Sequence, residues 1–156
     1  IQEGFSKAQR VFGRQETFDV EDKEVMLNLI KNPVGFNQIV QLLSYEKESF
    51  SLGVLLNDNP ADGQDISWIW DGDFEGLHAL NAADTAISGI RVEDLGVRME
   101  VAGFENMKVF KTNAELIDWI RKAPTKKVNV LATYTALLDL RKDFAKEGYL
   151  KEGMNG

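Results

Sequence analysis

The chain has 156 residues, 44% hydrophobic and 28% charged, a composition that supports a single globular core. A formal net charge of -7 without any Lys/Arg-rich block excludes a nucleic-acid binder, and zero cysteines exclude disulfides, a thiolate metal site and a cysteine nucleophile. No apolar run reaches bilayer length and no signal-peptide pattern opens the chain, so no membrane span and a cytoplasmic location are expected. The first residue is Ile1 rather than Met, so residues 1–156 read as one domain belonging to a longer protein.

Phe5 to Phe12 predicts a short helix stopped by Gly13. Glu16 to Val20 alternates polar and apolar residues, Glu21 and Asp22 suit a turn, and Glu24 to Ile30 reads as a strand, so a hairpin or strand pair opens the domain. Pro33 suits the first turn of a helix whose residues Phe36, Ile39, Val40 and Leu43 recur at 3-4-3 spacing and so share one face. Phe50 to Leu56 is short and nearly all apolar, the pattern of a parallel strand covered on both sides. Beyond an acid-rich segment, Asp73 to Leu80 predicts a brief helix, Thr85 to Ile90 a strand, and Glu93 to Ala102 a helix with Gly103 at its C-cap. Lys108 to Phe110 is a small strand. Thr112 or Asn113 then caps a helix carrying Glu115, Leu116, Ile117, Trp119 and Ile120, which Pro124 ends. Val128 to Ala132 is the last strand, Tyr134 to Glu147 the last helix, and the residues after Gly148 are expected to fray. Alternating strands and helices predict a three-layer α/β/α fold with a mostly parallel sheet, with no internal repeat or boundary.

The acid-rich segment, Leu56 to Phe74, carries Asp58, Asp62, Asp65, Asp71 and Asp73 together with Trp68 and Trp70. It follows a buried strand, and in α/β folds the carboxyl ends of strands are where ligands and partners meet the sheet. Turn chemistry dominates Asn57 to Gly63, so Asx-turns at Asp58 and Asp62 and a helix cap at Asp65 account for several acids without any function. The two tryptophans, at period two, point the same way if the segment is extended, either into the core or toward an interface. Phosphate-cradling motifs of the G-x-x-x-x-G-K-[ST] and G-x-G-x-x-G types are missing. Counted from Asp58, the third position is Pro60 and the twelfth Ile69, which rules out an EF-hand loop. The single histidine, His78, cannot build a zinc site alone and reads as a surface or helix-end residue; no metal site is expected.

Four stretches, GRQE at Gly13 to Glu16, NLIKNPVGFNQ at Asn28 to Gln38, LNDNPADGQDISWIWDGDFE at Leu56 to Glu75 and LATYTALLDLRK at Leu131 to Lys142, resemble the C-terminal domain of MurT proteins. Ser88 to Gly103, SGIRVEDLGVRMEVAG, adds weaker similarity. The resemblance spans essentially the whole chain and implies a Rossmann-like domain of the Mur ligase C-terminal type. MurT is the Mur ligase-like subunit of lipid II isoglutaminyl synthase, which amidates the D-glutamate of the peptidoglycan stem peptide with ammonia from a GatD glutaminase. By that similarity Arg14, Lys31 and Asn32 face a nucleotide held by the central domain of the longer protein, which uses ATP and Mg. No cofactor is expected in this piece by itself, and the piece is expected to be inactive alone. The resemblance also implies that GatD supplies cysteine and histidine while an aspartate of this domain completes the triad across the interface. By the same resemblance the matching position is Asp65, with Asp58, Asp62 and Asp71 as its rivals, and Asp58, Asp62, Trp68, Trp70 and Asp71 are the candidate residues of the interface. The alternatives are a protein-interaction domain without a catalytic role and an acidic metal-binding α/β domain.

Overall fold

The computed structural model describes residues 15–151, so the helix expected over Phe5 to Phe12 and the candidate Arg14 lie outside the described residues. The alternating segment forms β1 (Gln15–Val20) and β2 (Lys23–Leu29), an antiparallel hairpin that turns at Glu21, φ 56°, and Asp22. α1 (Pro33–Leu43) begins where Asn32, in extended conformation, accepts the Gly35 N–H on Oδ1 at 2.8 Å. Pro33 costs nothing in the first turn because its missing N–H has no intrahelical partner there. The remaining strands are β3 (Phe50–Leu55), β4 (Thr85–Ser88), β5 (Lys108–Val109) and β6 (Lys127–Ala132). Between and after them lie α2 (Phe74–Ala79), α3 (Val92–Ala102), α4 (Asn113–Arg121) and α5 (Tyr134–Lys146).

These strands make one sheet in the order β1-β2-β6-β3-β4-β5, parallel throughout except for β1. Successive side chains of a strand leave opposite faces. On β3, Phe50, Leu52 and Val54 enter a cluster with Phe36, Ile39 and Val40 of α1, Phe74 and Leu77 of α2, and Leu95 and Met99 of α3. Leu55 enters the opposite cluster, with Leu116, Ile117 and Ile120 of α4 and Leu140 and Phe144 of α5. Burial on both faces is why β3 reads as an unbroken apolar run, and the three-layer α/β/α expectation is the architecture observed.

Two local differences from the sequence reading have clear causes. β4 ends at Ser88 rather than Ile90 because Gly89, at φ 108°, brings its backbone against the end of β3. A Cβ there would lie 2.4 Å from the Leu56 carbonyl oxygen. Tyr149 and Leu150, expected to fray, pack on the second cluster, and the Tyr149 hydroxyl donates to Glu21 at 2.9 Å and accepts from Arg121 Nε at 3.0 Å. Among the described residues no helix is long and apolar enough to cross a membrane.

Candidate functional site

The carboxyl ends of β3, β4 and β6 are tied together by one buried side chain. Asn57 donates its backbone N–H to Thr133 Oγ1 at 2.9 Å, donates Nδ2 to Thr135 Oγ1 at 2.9 Å, and accepts the Ile90 N–H on Oδ1 at 2.8 Å. The segment that leaves β3 is therefore anchored before it reaches its acids. It folds as two short 3-10 turns, Pro60–Asp62 and Ile66–Trp70, rather than as an extended loop.

The acids of the segment have different environments. Asp62 is buried. Its Oδ1 accepts the Thr135 N–H at 2.7 Å, and its Oδ2 accepts the Thr135 hydroxyl at 2.6 Å and the Asn59 N–H at 3.0 Å. It thus caps the first turn of α5 from a distant part of the chain, using a carboxylate where the helix dipole is positive. This corrects its reading as an outward interface residue: Asp62 is an internal brace. Asp58 is engaged by Arg91 at 2.9 Å, and the same guanidinium also holds Asp94 at 2.8 Å. Asp73 caps α2 through the Gly76 N–H at 2.9 Å, while its own N–H donates to Asn37 Oδ1 at 2.8 Å.

Asp65 is different. Gly63, at φ 83°, reverses the chain after Asp62, a left-handed conformation that favours glycine, and Asp65 then emerges exposed on the rim in an extended conformation. One carboxylate oxygen accepts the Ser67 N–H at 2.9 Å, which makes Asp65 the N-cap of the second 3-10 turn. Bonds from the Ser67 side chain and then the Ser67 amide hold this carboxyl below the usual aspartate range, so it is ionised at neutral pH. No cation of the described residues forms an ion pair with it. Asp71 is also exposed, but none of the hydrogen bonds described fixes its carboxylate; only its N–H is engaged, by Trp68 O at 2.9 Å.

Trp68 and Trp70 do not form a matched pair. The 3-10 turn buries Ile69 and rotates its two neighbours apart. Trp68 leans on Phe36, ring centres 6.1 Å apart, whereas Trp70 is 51% exposed with the Arg98 guanidinium 5.2 Å below its ring. At the far end of the same sheet edge, Lys31 is exposed, and Asn32 uses its Oδ1 as the cap of α1. Among the described residues no group of His, Asp and Glu converges in the way a metal ion needs. The loop acids diverge toward Arg91, Thr135, Ser67 and Gly76, which removes the ligand set that a metal-binding reading requires.

Sequence reasoning missed Asn57, Thr133, Thr135 and Arg98. For Arg98 a signal was present: it falls with Leu95, Met99 and Ala102 on the inward stripe of α3, where an arginine requires partners.

Comparison with known proteins agrees with this geometry. A family model described as MurT ligase C-terminal matches residues 29–137. The chain is 41% identical over 157 residues to the lipid II isoglutaminyl synthase (glutamine-hydrolyzing) subunit MurT of Streptococcus pneumoniae, across 99% of this chain and 35% of that protein. It is 35% identical over 124 residues to the subunit of the same name from Staphylococcus aureus, across 76% of this chain and 28% of that protein. The chain therefore spans about a third of the length of the curated relatives it matches. Among solved structures, the folylpolyglutamate synthase of Thermotoga maritima superposes with a TM-score of 0.56 at 20% identity, over 90% of this chain and 32% of that one. The UDP-N-acetylmuramate-alanine ligase MurC of Thermotoga maritima gives 0.51 at 11% identity, over 83% and 28%. At such identities these two speak for the fold alone. By the family match and the two MurT relatives, the chain belongs to the MurT ligase C-terminal family.

Proposed function

We propose that this domain works within an ATP-dependent, glutamine-hydrolysing ligase that amidates the D-glutamate of a lipid II stem peptide on the cytoplasmic side. Its part is to dock a GatD-type glutaminase and lend it the Asp65 carboxylate. The observation that carries this reading is the isolation of Asp65. It is exposed and ionised, held in one orientation by Ser67, and unneutralised by any cation of the described residues, while Asp58 pairs with Arg91, Asp62 is buried on Thr135, and Asp73, though also exposed and without a cation, is turned to the first turn of α2.

A glutaminase of the cysteine-histidine type needs such a group. The imidazole must take the thiol proton, and an acceptor on its other nitrogen fixes the tautomer and stabilises the imidazolium that results. Asp65, presented on a rigid rim, provides that acceptor when the partner docks. The thiolate then attacks the glutamine carboxamide carbon, and protonation of the departing nitrogen by the imidazolium releases ammonia. Trp70, half exposed beside Asp65 in the segment, and Asp71 flank the docking surface. ATP with Mg, held chiefly by the central domain of the longer protein, supplies the activation of the carboxylate that receives the ammonia. Of the three residues expected to face that nucleotide, Lys31 is exposed, Asn32 commits its Oδ1 to the cap of α1, and Arg14 lies outside the described residues.

The test is the Asp65→Asn variant of the full-length synthetase subunit, purified with its glutaminase. Glutamine hydrolysis is expected to fall about 10³- to 10⁴-fold, the scale of losing a triad acid, with the dissociation constant of the complex unchanged. Normal hydrolysis excludes the role. Loss of binding with normal hydrolysis at saturating partner assigns the rim to docking alone.

A further inference from the structure

Arg98 is the most deeply buried charged side chain of the described residues, 3% exposed on the inward stripe of α3. Its donors all reach the segment that carries Asp65 and the helix after it. Nε donates to the Ile69 carbonyl at 2.7 Å and Nη2 to the Gly72 carbonyl at 2.9 Å, while Nη1 and Nη2 take Glu75 bidentately at 3.0 and 2.9 Å. Trp70 and Phe74 cover the guanidinium, their ring centres 5.2 and 4.9 Å from Cζ.

Packing α3 against α2 does not require this arrangement. Apolar side chains of similar volume replace buried ion pairs with little loss, and often with a gain, in stability. What an apolar side chain cannot do is fix two carbonyl oxygens at set positions, which the planar fork of arginine does. The carbonyls so fixed are those of Ile69, in the 3-10 turn that Asp65 caps, and of Gly72 just beyond it. On the other side of Asp65, Asp62 is bound to Thr135. The chain from residue 62 to residue 72 is thus clamped at both ends, with the Asp65 carboxylate between the clamps.

We infer that Arg98 is a positioning residue for the glutaminase reaction: it sets where the Asp65 carboxylate stands relative to the docked imidazole, without touching substrate or partner. This rests on the reading of Asp65 as an acid that acts in trans. A displacement of about 1 Å in a catalytic constellation costs on the order of a hundredfold in rate, so loosening one clamp has a measurable effect.

The experiment uses the full-length synthetase subunit purified with its glutaminase. Arg98→Lys keeps the charge but cannot reach the same acceptors together. Its kcat for glutamine hydrolysis is expected to fall about 10- to 100-fold, with the dissociation constant of the complex unchanged. The double variant, Arg98→Lys with Asp65→Asn, is expected to be no slower than Asp65→Asn alone, because Arg98 acts only through that carboxylate. A purely structural role predicts losses that multiply. Multiplying losses, or a fully active Arg98→Lys, overturn the inference. Should Arg98→Lys not fold, Glu75→Gln is read instead: that carboxylate is 58% exposed, so the change loosens the clamp without opening the core. Its expected loss in kcat is roughly three- to tenfold, and an unchanged kcat counts against Arg98. If Asp65→Asn itself runs at full rate, the trans reading of Asp65 fails; if Asp65→Asn is slow and Arg98→Lys is fast, only the positioning role fails.

Discussion

At the amino edge of the sheet, Glu24, Glu46 and Glu48 face Lys127 at 4.0, 2.9 and 3.1 Å, and Lys23 donates to the carbonyls of Ala123 and Thr125 at 2.6 and 3.0 Å. At the carboxyl edge, Asp58 meets Arg91 and Asp62 meets Thr135, but Asp65 meets only its neighbour Ser67. Both edges are rich in carboxylates, so acidity alone does not distinguish them. The amino edge gathers its acids around an internal cation and closes. The carboxyl edge braces its acids one by one and leaves two carboxylates ordered by an amide but unneutralised: Asp73, turned to the N-terminus of α2, and Asp65, which caps the short 3-10 turn on the rim. A charge that is held in place but not paired is available to a group from outside, and the role proposed for Asp65 rests on that difference between the edges.

Substitutions at Asp65 and Asp62 break the comparison most sharply, because the two residues lie in one segment and have opposite environments. Asp65→Asn is expected to raise the barrier of the partner's glutamine hydrolysis by about 4–5 kcal/mol, the equivalent of losing a triad acid. The same change should move the unfolding free energy of the domain by less than about 0.5 kcal/mol, as for other surface substitutions. Asp62→Ala removes an acceptor from the Thr135 N–H and hydroxyl and from the Asn59 N–H in a buried setting. Its expected cost is about 2–4 kcal/mol in urea unfolding, with the midpoint lowered and the m-value retained. If Asp62→Ala were neutral in stability, or Asp65→Asn strongly destabilising, the division of the rim into brace and presented acid would be lost.

Much of the fold was legible because periodicity reports burial directly. The apolar run of β3 announced a strand covered on both faces, and Phe36, Ile39, Val40 and Leu43 announced the inward stripe of α1; the structure buries all four. The rim was legible only as a collection of acids. Nothing in the spacing of Asp58, Asp62 and Asp65 says which one turns inward, since Asp62 is claimed by Thr135, a residue 73 positions away in sequence. The period-two reading of Trp68 and Trp70 failed for a related reason. Capping by Asp65 and the Arg98 bond to Ile69 favour a 3-10 turn, in which neighbours of a buried residue diverge. Long-range hydrogen bonds of this kind leave little local pattern: for Arg98 the one trace is an arginine on the inward stripe of α3, which says that it needs partners but not which ones.

The smallest effect is expected at the amino edge, and it carries a pH signature. Burial pushes the Glu46 carboxyl up, but hydrogen bonds from Lys127 and from the Glu48 amide outweigh it and hold the group below 4.5, its ordinary value. A carboxyl depressed in the folded state adds stability above its unfolded pKa, and that stability is lost as the pH falls through the folded value. Lys127→Met removes the cation and leaves the burial, so the variant should be less stable by about 1 kcal/mol at neutral pH. The difference should close as the pH drops below 4.5, where protonated Glu46 no longer needs Lys127. Urea unfolding of both proteins between neutral pH and acid checks this. Glutaminase activity of the complex should not change, because this cluster lies at the opposite end of the strands from Asp65. A Lys127→Met variant with normal stability at neutral pH but impaired glutamine hydrolysis would reverse the roles assigned to the two edges.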